Sequence, residues 1–95
     1  MKVKFEWDKT KAAANLKKHR VSFDEARTVF NDPLARIFDD EEHSGHEQRE
    51  IIIGHAVTQR LLLVCFIERS EVIRIISARL ATRREQRDYE SNVIF

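Results

Sequence analysis

Ninety-five residues with 42% apolar side chains suffice for one hydrophobic core and exclude a second, so residues 1–95 are expected to form a single domain. Lys and Arg number 17 against 16 Asp and Glu, a net charge of +1, and the longest unbroken apolar run, Leu61 to Ile67, is about a third of a membrane span. The Met-Lys-Val-Lys start has no apolar signal region and the lone Cys65 suits a reducing compartment, so a cytoplasmic chain without a membrane partner is expected.

In chain order, Phe5-Glu6-Trp7 reads as an extended lead-in, and Asp8 caps a helix over about 9–19 whose Ala12, Ala13 and Leu16 recur at helical spacing. Trp7, one residue before that cap, is placed to pack on Ala12 and so belongs to the core. His19 is expected to cap the end of this helix. Ser22-Phe23-Asp24-Glu25 is a capping box opening a second helix over about 23–31, with Phe23, Ala26, Val29 and Phe30 on one face. Asn31-Asp32-Pro33 ends it, because proline disfavours helix in the residue before it. The texture then turns to β, with runs 34–38, 49–55, 61–67 and 72–78 rich in Ile, Val, Leu and Phe. The short connections 56–59 and 68–71 make the last three runs an antiparallel meander. Neither connection contains Gly or Asn, so bulges or register shifts are expected there. The third run is apolar on both faces, whereas two helices can cover only one. Thr82-Arg83-Arg84-Glu85 is a further capping box, opening a helix over about 83–91. The predicted fold class is α+β: two N-terminal helices, a four-stranded mainly antiparallel sheet and a C-terminal helix.

Charge is distributed unevenly: +5 over residues 1–20, −6 over 21–50 and +2 over 51–95. Every basic residue after Ile51 is Arg, the side chain that grips phosphate with two parallel hydrogen bonds, and this bias points toward a polyanion. A four-residue turn over 56–59 sets His55 opposite Arg60, and a two-residue turn at 69–70 sets Arg60 opposite Arg79. These three residues then form a cationic cluster on one face, with an imidazole, the group whose ordinary titration lies near neutrality. The same register sets Glu68 opposite Glu71, a repulsion that a bulge would relieve. Glu47 and Arg49 share a strand face and are expected to pair. Arg83, Arg84 and Arg87 recur at helical spacing, suited to a phosphate backbone or else to pairing with Asp88 and Glu90. The His43-Ser44-Gly45-His46-Glu47 stretch lacks the further ligand a zinc site needs, and no metal or cofactor is expected.

Taken together, Phe5-Glu6-Trp7-Asp8, the run from Ala12 to Ala26, Asp40 with His43-Ser44, Glu47-x-Arg49, Ile53-Gly54 and the run from Arg74 to Glu90 closely resemble the BrnT toxins. The resemblance spans nearly the whole chain and implies a compact fold similar to the RelE-type microbial ribonuclease toxins. It implies a metal-independent endoribonuclease of a type II toxin–antitoxin module that inhibits translation. The implied partners are an RNA substrate and a BrnA-type antitoxin, a DNA-binding ribbon-helix-helix protein, in a toxin–antitoxin heterotetramer. With that activity in view, the candidate catalytic residues are Arg79, Arg60, Arg49, His55, Glu47 and Tyr89, the last because RelE-like toxins sometimes use a C-terminal tyrosine. The candidate RNA contacts are Arg74, Arg83, Arg84, Arg87 and Lys9. Arg20 stands where the family commonly has glycine, which weighs against a left-handed helix stop at that place. The reading from another class is a non-catalytic module that holds RNA or a protein with the same arginines. DNA binding by the chain itself is disfavoured, since no recognition-helix arrangement is evident.

Overall fold

The computed structural model describes residues 3–42, 45 and 47–92. His43, Ser44, His46 and the Val93-Ile94-Phe95 tail lie outside the described residues. The order of elements is β1 (Lys4–Glu6), α1 (Lys9–His19), α2 (Phe23–Arg27) continued by a 3₁₀ turn (Thr28–Asn31), β2 (Arg36–Asp39), β3 (Glu50–His55), β4 (Leu61–Arg69), β5 (Val72–Leu80) and α3 (Arg83–Asn92).

The sheet has five strands, in the order β1-β5-β4-β3-β2, rather than four. The extra strand is the lead-in itself: Lys4–Glu6 pairs parallel with Val72–Arg74, making a mixed sheet whose remaining pairs are antiparallel. Three residues are too few for hydrophobic alternation to announce a strand, and the pairing is fixed instead by Phe5, which packs edge-on against Phe30 at 5.2 Å.

One sheet face carries Ile52, Leu62, Val64, Phe66, Ile73, Ile75 and Ala78 and packs against Val21, Phe23, Ala26 and Val29 to form the core. Trp7 joins it, its ring T-shaped to Phe23 at 5.9 Å, in keeping with a structural role. Helix α1 attaches differently from its predicted apolar stripe. Ala13 and Leu16 are exposed, and the buried residue is Asn15, whose amide donates to the carbonyls of Val21 and Ala78 at 2.9 Å and accepts from the Ala78 amide at 3.1 Å. A fully hydrogen-bonded buried amide orients the helix on β5 at little desolvation cost.

Arg20 adopts φ 60° and ψ 31° and its amide donates to the Leu16 carbonyl, so the left-handed stop forms without glycine. The predicted second helix is helical over the expected span but tightens into the 3₁₀ turn after Arg27. Ser22 caps it by accepting from the Glu25 amide at 3.0 Å. The reciprocal half of that box is absent because the Glu25 carboxylate turns to Arg60 and Thr58 instead. At α3 both halves are present: the Glu85 amide donates to Thr82 Oγ1 at 3.1 Å, and the Thr82 amide to Glu85 Oε1 at 2.8 Å.

The turns decide the registers. Gln59 at φ 73° closes a turn in which the Ala56 amide donates to the Arg60 carbonyl, so His55 pairs with Leu61 rather than Arg60. The β4–β5 turn lies at Ser70-Glu71, one residue later than expected, with Ser70 at φ 54°; Arg69 pairs with Val72 and Glu68 faces Ile73 instead of Glu71. A bulge between Cys65 and Phe66 leaves Ile76 unpaired and returns Leu63 opposite Arg79.

Candidate active site

The second sheet face, away from α1 and α2, bears the cross-strand row Arg36–Ile53–Leu63–Arg79, and beside it Phe38–Ile51–Cys65–Ser77. Helix α3 covers one end of this face, with Tyr89 its buried aromatic at 4% exposure. Between helix and sheet lies an open cleft of about 340 Å³, floored by Ile53 and Leu63 and walled by Arg36, Phe38, Glu85 and Tyr89.

Asp32 is hydrogen-bonded to Tyr89, a wall of this cleft. Its Oδ1 accepts the Leu34 amide at 2.9 Å, a local turn that Asp forms readily. Its Oδ2 accepts the His55 amide at 2.7 Å and the Tyr89 hydroxyl at 3.3 Å, and stands 3.8 Å from His55 Nδ1. Burial alone would raise this carboxyl, but the His55 and Leu34 amides and the Tyr89 hydroxyl outweigh it and hold Asp32 below its ordinary range, ionised at neutral pH. The Tyr89 hydroxyl is pushed up, by burial and then by the Asp32 charge, so it remains protonated. The imidazole of His55 stacks edge-on against the Tyr89 ring at 5.6 Å, with 46% of the side chain open to solvent. Gly54 makes this packing possible: a Cβ there would lie 2.8 Å from Ala35 Cβ and 3.0 Å from Asp32 Oδ2.

Arg79 lies on the same face. Its guanidinium makes a two-pronged pair with Glu85 at 2.8 and 2.9 Å, beside the cleft that Glu85 lines. The guanidinium, opposed by burial and assisted by the Thr82 amide, lowers the Glu85 carboxyl to about 2. Arg36 enters the cleft with no ion pair or hydrogen bond among the described residues.

The predicted triplet of His55, Arg60 and Arg79 does not assemble. The turn closed by Gln59 shifts the register by one residue, and a one-residue shift sends a side chain to the opposite face. Arg60 therefore lies on the α2 side, where Nε donates to Glu25 Oε2 at 2.8 Å and NH2 bonds Glu25 Oε1 and the Arg20 carbonyl. Its positive charge holds the Glu25 carboxyl below the usual range. Glu47 pairs not with Arg49 but with Arg69, at 2.7 Å. Arg49 lies near Cys65, at the end of the sheet remote from His55. Burial and the Asp40 carboxylate push the Cys65 thiol up to about 11, so it packs as an inert apolar side chain. Arg74 is paired with Glu6 at 2.9 Å and its charge reaches Asp8, next to exposed Lys9. Arg83, Arg84 and Arg87 are exposed on α3.

Two site residues escape the sequence reading, Asp32 and Arg36. Asp32 was legible only as part of a helix-ending Asn-Asp-Pro, and Arg36 only as a strand residue of unknown face. Among the described residues no group of three or more His, Cys, Asp or Glu side chains could hold a metal ion. Among the described residues no helix is long and apolar enough to cross a membrane.

A family model described as the ribonuclease toxin BrnT of type II toxin–antitoxin systems matches residues 7–85. Among solved structures, the chain is similar to the Brucella abortus ribonuclease toxin BrnT, with a TM-score of 0.65 and 23% sequence identity, covering 85% of this chain and 99% of that one. No curated protein matches the chain.

Proposed function

Since the chain belongs to the BrnT family of ribonuclease toxins from type II toxin–antitoxin systems, we propose that it cleaves RNA without a metal ion, by attack of a ribose 2′-OH on the adjacent phosphodiester, and that His55 is the general base. The observation that carries this reading is the Asp32–His55–Tyr89 cluster: a partly exposed imidazole beside an ionised carboxylate, joined through Tyr89 to a cleft that holds an uncommitted arginine. His55 takes the 2′-OH proton, the 2′-oxygen bonds to phosphorus, and the bond to the 5′-oxygen breaks. The products are a 2′,3′-cyclic phosphate and a 5′-oxygen that is protonated from solvent.

Asp32 stabilises the imidazolium that forms and fixes the His55 backbone. Tyr89 positions both. Arg36 binds the scissile phosphate, and Arg79, held in place by Glu85, adds positive potential where phosphorane charge develops; donors of this kind commonly contribute about 3 kcal/mol to the barrier. Arg83, Arg84 and Arg87 extend the cationic track along α3 to flanking phosphates. Arg49, Arg74 and Lys9 act away from the reacting atoms, as contacts to the remainder of the RNA, and Glu47 holds Arg69. Arg60 serves the fold.

In this reading the protein acts in the cytoplasm and inhibits translation by destroying RNA. Its antitoxin is a BrnA-type ribbon-helix-helix DNA-binding protein, joined to it in a heterotetramer. The part of the second sheet face that α3 leaves open, with Phe38 48% exposed, supports such an inhibitor.

The test is incubation of the purified chain with single-stranded RNA in excess EDTA, with mapping of fragment ends, beside His55→Ala and Arg79→Ala. Cleavage leaving 5′-hydroxyl ends, slowed about 100-fold or more in both variants, is expected. Intact RNA with the wild-type chain, or undiminished cleavage by His55→Ala, would overturn the assignment.

A further inference from the structure

A second cleft, of about 460 Å³, is lined by His55 and Asp32, which both contact Tyr89, a wall of the first. Its floor is Thr28 and Asn31 of the 3₁₀ turn, and its far wall is the β3–β4 turn with Val57 and Gln59. Most polar groups here are already used. The Thr28 hydroxyl donates to the Glu25 carbonyl at 2.6 Å and accepts the Val57 amide at 2.9 Å. The Ala56 and Gln59 amides close the turn, and both Asp32 oxygens are occupied. Besides the His55 imidazole, what remains among the described residues is the carboxamides of Asn31 and Gln59, neither of which has a hydrogen-bond partner.

This chemistry differs from that of the first cleft. No Lys or Arg lines the second, and the Asp32 carboxylate forms part of its wall, so it lacks the permanent positive charge with which the first cleft attracts a phosphate. A neutral, flat, hydrogen-bonding group is favoured. A carboxamide offers one acceptor and two donors, and is the side chain that pairs with two atoms of an adenine edge at once. Val57, 73% exposed, supplies an apolar ledge against which a base can lie.

We propose that the Asn31–Gln59 cleft is a nucleobase subsite that takes an adenine adjoining the scissile phosphate and so sets the sequence preference of cleavage. The proposal rests on the reading of His55 as the reacting centre, because that residue lines this cleft and contacts Tyr89, a wall of the first. Single-stranded RNA is read in this manner, with unstacked bases hydrogen-bonded at their edges. The backbone sets where the two residues stand: Gln59 in the left-handed turn and Asn31 at the end of the 3₁₀ turn.

The experiment measures binding of 2′-O-methyl dinucleotides, which cannot be cleaved by 2′-OH attack, to the wild-type chain and to an Asn31→Ala, Gln59→Gly double variant. Glycine adopts the conformation of residue 59 without strain, so the variant keeps the turn. Expected is about tenfold tighter binding of an adenine-containing dinucleotide than of its uracil counterpart, reduced to less than about twofold in the variant, with the uracil compound bound equally by both. Equal affinity for the two bases in the wild type, or discrimination that survives the double substitution, would overturn the subsite. Adenine discrimination in a chain that leaves RNA intact would uphold the subsite while removing the catalytic reading. Cleavage without base discrimination would do the reverse.

Discussion

Glu25 and Arg60, 35 residues apart, join helix α2 to the β3–β4 turn through a guanidinium–carboxylate pair in which Arg60 Nε donates at 2.8 Å and the second prong closes on Glu25 Oε1. Thr58 adds its hydroxyl to the same carboxylate, and the Arg20 carbonyl accepts from the guanidinium at 2.9 Å. One arginine thus ties together the end of α1, the first turn of α2 and a hairpin.

Arg60→Ala is therefore expected to be a stability variant. Removing it leaves the part-buried Glu25 carboxylate and the Arg20 carbonyl short of donors, at a cost of about 1–3 kcal/mol. Thermal unfolding should show a clear fall in Tm, while the single-turnover cleavage rate of the folded fraction stays within about twofold of wild type. A rate loss of 100-fold with unchanged Tm would return Arg60 to the reacting centre.

Glu85 gives an acid limb to the stability curve. Its folded pKa, about 2, lies below its ordinary value of 4.5, so the pair with Arg79 contributes fully above pH 4.5 and is lost as pH falls toward 2. Both side chains are partly solvated, 39% and 29% exposed, and after screening the contribution is about 1 kcal/mol. Denaturant titrations of wild type and Glu85→Gln should differ by about that much at pH 6 and converge near pH 2. A constant gap across this range would show that the carboxylate charge is not what stabilises the helix start.

Gly54 faces Asp32 across a space with no room for a methyl group. Gly54→Ala must push back Ala35 or the Asp32 carboxylate, an overpacking cost of about 1–3 kcal/mol. Because Asp32 carries the His55 amide, the cleavage rate should fall as well, by more than the fraction unfolded accounts for. Equilibrium unfolding and single-turnover kinetics on the same sample separate the two effects.

Arg20 occupies left-handed backbone at φ 60° with a full side chain. Arg20→Gly should stabilise the chain by about 0.5–1 kcal/mol, since the carbonyl that accepts from Arg60 is retained and the steric strain is removed. A fall in Tm in this variant would mean that the side chain makes a contribution larger than the strain it imposes.

The elements were legible where the signal is local. Asp8, Ser22 and Thr82 each cap a helix as their spacing indicated, and the apolar runs mark four strands to within two residues at each end. Registers were not legible. Gln59 and Ser70 adopt positive φ in turns without glycine or asparagine, and no side-chain pattern reveals where a residue with ordinary preferences will do so. The misplaced turn then exchanged Arg60 and Leu61 between faces, which is why the cationic triplet was read wrongly although His55 and Arg79 do share a face. Asp32 was hidden for a different reason. Its partners His55 and Tyr89 lie 23 and 57 residues away, and a helix-ending aspartate carries no mark of such a long-range role.

Helix α3 is almost wholly polar, and its attachments include Glu85 on Arg79 of β5 near its start and Tyr89 on Asp32, in the loop before β2, near its end. These are also the contacts that shape the first cleft. Docking of the helix and assembly of that cleft are consequently one event: a chain in which α3 has come away loses the cleft wall and the Tyr89 support of His55 together, yet keeps the core between the sheet and α2. On the proposed reading, chemical competence is thus withdrawn by peeling off α3 alone while the rest of the molecule stays folded.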